Sequence, residues 1–254
     1  MYLFYSLLHK ILERIFQRHS YLRRPKLSSA DKVYLENNFP FYQRLNPNHK
    51  EEFVSKLEMV LKGRTFIGRS EIRVITQEMK LLIGATIVMV TFGFRELRLP
   101  HFSKILIYPD TYYSTISKQY HRGEVNPRHG IIVLSWNCFL RGYENERDGE
   151  NLGIHEIAHA LKLENIIKGN DESDFFDLST YMDYKALAIE EVEKIKSGQV
   201  SFFRSAGGIN EHEFFAVALE NFFERPHQFF QYNSKLYGTI VRLLRQDPRV
   251  WIKN

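Results

Sequence analysis

A chain of 254 residues that is 44% hydrophobic and 14% aromatic can bury a sizeable core and is not a disordered tail. Its formal charge of +5 resides in residues 1–26, where Lys10, Arg14, Arg18, Arg23, Arg24 and Lys26 face Glu13 alone; the remaining body is neutral and gives no sign of direct nucleic-acid binding. The single cysteine, Cys138, excludes an internal disulfide and a thiolate zinc cluster, and in the apolar "LSWNCFL" it reads as an inert buried thiol in a reducing compartment.

Two units are expected: an N-terminal arm over residues 1–26 and one domain over 27–254. In the arm, Leu3, Phe4, Leu7, Leu8, Ile11, Leu12, Ile15 and Phe16 form a helical apolar stripe, with Lys10 and Arg14 on the polar side. Such a helix can pack on its own domain, dock a partner, or lie through residues 1–24 on an anionic membrane surface, which would place a cytoplasmic protein at the inner membrane face. It is too short to span a bilayer, and no small-residue cleavage site follows.

Residues 28–62 are predicted as two helices split by the turn at Asn46–Asn48. "SEIRVIT" (Ser70–Thr76) alternates and is β-branched, a predicted strand. Thr76 is a predicted N-cap for a buried helix through the uncharged Leu81–Phe94, with Gly84 and Ala85 allowing close packing. Lys104–Asp110 and Ile131–Trp136 are predicted strands, joined by a turn-rich "GEVNPRHG" (Gly123–Gly130). A long helix is expected over about Tyr181–Ser197, its Glu190, Glu191 and Glu193 forming a solvated face. The turn Gly207–Gly208 precedes the helix "EHEFFAVALENFFERP", and a last helix runs through "KLYGTIVRLLRQ". Helices around a small sheet argue an α+β fold.

The chemistry lies in "NLGIHEIAHALKLEN" (Asn151–Asn165). Residues four apart on a helix share a face, so His155 and His159 can offer two imidazole nitrogens to one Zn²⁺. Glu156 is too far round the helix to join them but can serve as general base to a metal-activated water. The flanking Leu152, Ile154, Ile157, Ala158 and Leu161 mark a mostly buried helix, where two histidines and a glutamate are out of place on an ordinary surface.

A catalytic zinc needs a third protein ligand. A third histidine six residues after His159 is excluded, because that position is Asn165, and Lys162 stands where the same pattern requires glycine. A carboxylate on a later helix remains. Glu213 opens a helix rich in Phe214, Phe215, Val217, Ala218 and Phe222, where a carboxylate needs compensation; a first-turn glutamate favoured by the helix dipole is the equal alternative. Glu220, on the same face, competes and is better suited to hydrogen-bond a ligand histidine. Glu211 reads as a helix N-terminal residue, and His212 as facing away from Glu213.

"ITQEMKLLIGATIVMVTFGF", "ILIYPDTYY", "VLSWNCFLRG", the HEIAH helix, "EHEFFAVALENFFERP" and "LYGTIVRLLRQDP" together resemble the Mlc titration factor A family of zinc-dependent peptidases over roughly residues 30–250. The part around "EFFA" is also similar to the catalytic domain of anthrax lethal factor. The resemblance implies a zincin-like metallopeptidase domain, Zn²⁺ held by His155, His159 and Glu213, Glu156 as base, and a peptide or protein substrate lying along an edge strand at Gly130–Trp136. It also implies a second reading, a scaffold that sequesters a transcriptional regulator such as an Mlc-like repressor. Relatives carry a tyrosine shortly before the ligand glutamate; Ser205 and Ala206 stand there instead, which leaves oxyanion stabilisation to another group and predicts a slow peptidase unless Tyr181 or Tyr184 reaches the site.

Overall fold

The computed structural model describes residues 26–96, 99–114, 118–168 and 176–250. The N-terminal arm expected at residues 1–26 lies outside the described residues except for Lys26.

The first helical stretch contains three helices where two were expected: α1 (Ser29–Asn38), α2 (Pro40–Arg44) and α3 (Pro47–Lys62). The additional break falls at Phe39, extended at φ −131° because it precedes Pro40. Asn46, in the turn the sequence suggests, caps α3, its Oδ1 accepting from the His49 N–H at 2.9 Å.

Strand β1 is Thr65–Gly68, and the expected strand at Ser70–Thr76 is absent. The chain turns instead at Ser70, which has φ +54°. The Ile72 carbonyl lies so close to Gly68 that a Cβ there would sit 2.2 Å from it. The alternation in "SEIRVIT" has no sheet partner, and Val74 stays 74% exposed. Helix α4 (Gln77–Thr91) then starts at Thr76, whose side chain accepts from the Met79 N–H, and is buried from Leu81 to its end. A Cβ on Gly84 would meet Leu57 Cδ1 at 2.7 Å, so this glycine lets α4 approach α3.

Strands β2 (Lys104–Tyr108), β5 (Gly123–Asn126) and β6 (Ile131–Ser135) complete a mixed sheet in the order β1–β2–β6–β5. The pairs β1–β2 and β2–β6 are parallel, and β5 runs antiparallel to β6. A separate hairpin joins β3 (Tyr112–Ser114) and β4 (Gln119–His121). Two expectations are corrected here. The segment 123–130 is a strand followed by a turn, not a turn throughout; Gly130 at φ +62° supplies the turn. Strand β6 is interior, so the edge strands of this sheet are β1 and β5 and not Gly130–Trp136. Four residues are too few to show a period, and only pairing with β6 makes Gly123–Asn126 a strand.

Ser135 ends β6 and caps α5 (Trp136–Glu144). Helix α6 (Leu152–Lys168) packs on α4 and on α8 (Glu211–Glu224). Between them run α7 (Leu178–Lys196), capped by Asp177, and a 3-10 turn at Ser205–Gly208. Glu191 departs from the expected solvated face of α7: it is buried and accepts from Tyr232, Asn233 and Lys194. Helices α9 (Pro226–Tyr232) and α10 (Ser234–Leu244) close the core around Phe222, Phe229 and Tyr237. No helix among the described residues is long and apolar enough to cross a membrane.

Candidate metal centre

Helix α6 begins where Asn151 Oδ1 accepts from the Ile154 N–H at 3.1 Å, one residue before His155. Asn151 is itself fixed, its Nδ2 donating to the Gly142 carbonyl at 2.8 Å and to Glu224 at 3.0 Å. Ile154, Ile157, Ala158 and Leu161 anchor one side of α6 in the core. This turns His155 and His159 to a cleft between α6, the edge strand β5 and the start of α8. Helix α8 is capped by Asn210, whose Oδ1 accepts from the His212 and Glu213 N–H groups at 2.8 and 3.0 Å.

His155, His159 and Glu213 thus converge. The two Nε2 atoms are 3.1 Å apart, and each lies 3.4 Å from a Glu213 carboxylate oxygen. His155 Nε2 meets Oε2 and His159 Nε2 meets Oε1, so two imidazoles and one carboxylate, donor types that zinc takes, converge closely enough to hold a single ion. The charge balance fits as well. Burial alone would lower the His155 pKa, but hydrogen bonds to Glu213 and Glu220 and the nearby Glu156 raise it to about 10. The same two imidazoles hold Glu213 well below the usual carboxylate range. Carboxylates concentrated around two imidazoles hold a positive charge there, the place a divalent cation would take.

Glu156 is buried on the adjoining side of α6, and burial pushes its carboxyl up, against the pull of His155 and His159. A Cβ on Gly123 would sit 2.5 Å from Glu156 Oε1, so the first residue of β5 must be bare for this carboxylate to lie against the strand. Glu220 is fully buried; its Oε1 accepts from His155 Nδ1 at 2.5 Å and from Arg204 Nη2 at 2.7 Å. The Nδ1 contact leaves Nε2 of His155 facing the other donors.

Two cavities meet at this centre, sharing His121, Gly123, His155, Glu156 and Glu213. The smaller, about 450 Å³, runs along Glu124 and Val125 of β5, and the larger, about 560 Å³, extends toward Arg141, Glu150 and Arg204. His212 lines the smaller one beside His159, so it does not face away from Glu213 as the sequence suggested. Tyr184 is buried edge-on to Phe215 and Tyr181 stacks on Phe176; neither lines these cavities. Sequence reasoning missed Gly123, His121 and Arg204. The one available signal was Glu220: a carboxylate in an apolar helix with a histidine on one oxygen needs another donor.

A mostly helical domain with a small mixed sheet and a His–Glu–His helix facing a glutamate is the architecture of a zincin-like α+β metallopeptidase domain. The profile described as Glucose-regulated metallo-peptidase M90 matches residues 13–245, and the chain belongs to that family. It is 25% identical over 231 residues to an uncharacterised protein of Synechocystis sp., covering 85% of this chain and 83% of that one. It is 24% identical over 227 residues to Mlc titration factor A of Edwardsiella ictaluri, 82% of this chain and 85% of the other. With Mlc titration factor A of Yersinia pestis the identity is 25% over 235 residues, 85% and 84% of the two chains.

Proposed function

We propose that the protein is a zinc-dependent peptidase, with His155, His159 and Glu213 as metal ligands and Glu156 as general base. The observation that carries this is the convergence of two imidazole nitrogens and a carboxylate oxygen, within 4.8 Å of one another, beside a buried, raised carboxyl. A bound Zn²⁺ would supply Lewis acidity and lower the pKa of its water. The chain supplies the rest. Glu156 takes a proton from water and delivers it to the leaving amine; its raised pKa suits both directions of transfer. Strand β5, the free antiparallel edge beside the cleft, offers backbone groups to an extended peptide or protein substrate. With Tyr181 and Tyr184 committed to the core, we assign the oxyanion donor to His121, which lines both cavities. His121→Ala is expected to lower kcat about 10²–10³-fold with KM little changed. The decisive test of the whole reading is Glu156→Gln: zinc content should persist while peptide hydrolysis is lost, and retained hydrolysis would sink it.

A second reading has specific support: two of the relatives are named Mlc titration factor A. On it, the domain binds a transcriptional regulator in the cytoplasm, with little or no peptidase activity. Tight regulator binding by both wild type and Glu156→Gln, with no hydrolysis by either, would favour that reading. For the arm, we propose peripheral contact through residues 1–24, tested as salt-sensitive binding to anionic vesicles that is lost when those residues are deleted.

A further inference from the structure

We propose that Arg204 is a positioning residue for the metal centre, acting through Glu220 to hold the His155 ring with Nε2 toward His159 and Glu213. The proposal rests on the metal-centre reading above. Glu220 has no exposed side-chain surface and sits in the apolar run of α8 between Leu219 and Phe222. An ionised carboxylate there requires partners on both oxygens. Arg204 provides them: Nη2 donates to Oε1 at 2.7 Å and to Oε2 at 3.0 Å, and Nε reaches Oε2 at 3.3 Å. The planar guanidinium therefore fixes the plane of the carboxylate, which a single point charge would not. With both oxygens held, Oε1 stays in line with His155 Nδ1 at 2.5 Å. Arg204 Nη2 lies 3.4 Å from the same Nδ1, a long contact beside the 2.7 Å bond to Oε1, so the guanidinium reaches the ring chiefly through the carboxylate.

The side chain is not needed for the local backbone. Arg204 stands at the start of the turn Ser205–Gly208 and makes no side-chain capping bond to it. The segment is anchored instead by Phe203, packed edge-on against Phe214, Phe229 and Tyr232. Orientation of the histidine and anchoring of the segment therefore belong to neighbouring residues and can be separated by mutation.

The experiment is Zn²⁺ titration of the full-length, chelator-stripped protein in competition with a chromogenic chelator, with the melting of the apo protein recorded alongside. Arg204→Ala is expected to weaken Zn²⁺ binding about 10–100-fold, the effect typical of losing a partner behind a metal ligand. Arg204→Lys, which restores charge but not the two-point geometry, should fall between, and it carries the same test should the alanine variant fail to fold. Because Arg204 acts through Glu220, Arg204→Ala combined with Glu220→Gln should be no weaker than Glu220→Gln alone. Phe203→Leu, which disturbs the same segment, should melt lower but bind Zn²⁺ as wild type does. Wild-type affinity in Arg204→Ala, full additivity with Glu220→Gln, or an equal loss in Phe203→Leu would each overturn the proposal while leaving the metal centre standing. A wild-type protein that takes up no Zn²⁺ would remove the metal-centre reading, and the role of Arg204 with it.

Discussion

Helix α8 carries a carboxyl group near each end, and their surroundings drive them in opposite directions. At the N-terminal end, Glu213 meets two imidazoles and is held as a carboxylate. At the C-terminal end, burial pushes Glu224 up to about 8; nearby Asp148 and Glu220 add to the rise, while Asn151 and the Gly149 N–H only moderate it. The residue type is the same and so is the helix. What differs is whether the donors carry charge. Cationic or metal-binding partners keep a half-buried carboxylate ionised, whereas amide donors satisfy its hydrogen bonds without offsetting its desolvation. The first arrangement makes an ion site. The second makes a clasp: Glu224 holds the loop before α6 through Gly149 and Asn151, both at 3.0 Å.

The comparison breaks most visibly on metal uptake. Glu213→Ala is expected to lose more than about 100-fold in Zn²⁺ affinity, beyond the range seen for residues that only support a ligand, while Glu224→Gln loses none. Equilibrium dialysis of both variants checks this, and equal losses would mean that the two ends of α8 are not functionally distinct.

A smaller effect should appear in the pH dependence of stability. The folded pKa of Glu224 lies above its unfolded value of 4.5, so the folded protein binds the extra proton between about pH 4.5 and about pH 8. Stability from this group is full below that window and is lost as pH rises through it. Relative to Glu224→Gln, wild type should therefore lose on the order of 1–3 kcal/mol across the window, measured by urea unfolding at several pH values. A constant difference between the two proteins would show that Glu224 is not protonated in the fold.

Glu156, a buried carboxyl of the cleft, sharpens the same contrast through its wall. Gly123→Ala places a methyl group 2.5 Å from Glu156 Oε1 and must displace the carboxylate or the strand. We expect about 1–3 kcal/mol of destabilisation, a fall in kcat, and zinc content unchanged. Full activity in this variant would mean the base does not work from the position seen. The smallest effect is expected at the start of α8, where Asn210→Ala removes the cap at Glu213 and should cost about 1 kcal/mol, read from thermal melting, with only a modest change in metal affinity.

Much of the centre could be read from one dimension because its signals are local. The spacing of His155 and His159 is a property of one helix turn, and Glu156 follows from it. The buried helix after Thr76 and the strands at Lys104 and Ile131 were also legible, since a cap and a continuous apolar run do not depend on distant partners. The sequence favoured Glu213 as the ligand and Glu220 as the partner of a ligand histidine, but seven residues on one helix face alone do not say which nitrogen each carboxylate meets. The fold separates them: Glu213 lies 3.4 Å from each Nε2 atom, and Glu220 meets Nδ1 of His155.

The rest was decided by tertiary contacts. "SEIRVIT" alternates like a strand, yet Thr65–Gly68 takes the place beside β2 and the alternating residues turn away. Gly123–Asn126 carries no periodic signal and becomes an edge of the sheet through pairing with β6. Arg204 is 16 residues from Glu220 and 49 from His155 in sequence, and nothing in its neighbours predicts that it faces either. The sequence by itself pointed to the family, through the resemblance of several segments in order, and to the helix that carries the histidines and the kind of chemistry they allow, because those follow from residue type and short-range periodicity. Tertiary structure alone decided which strand borders the cleft, which carboxylate stands against the imidazole ring, and which arginine holds it there, because each depends on groups that only folding brings within hydrogen-bonding distance.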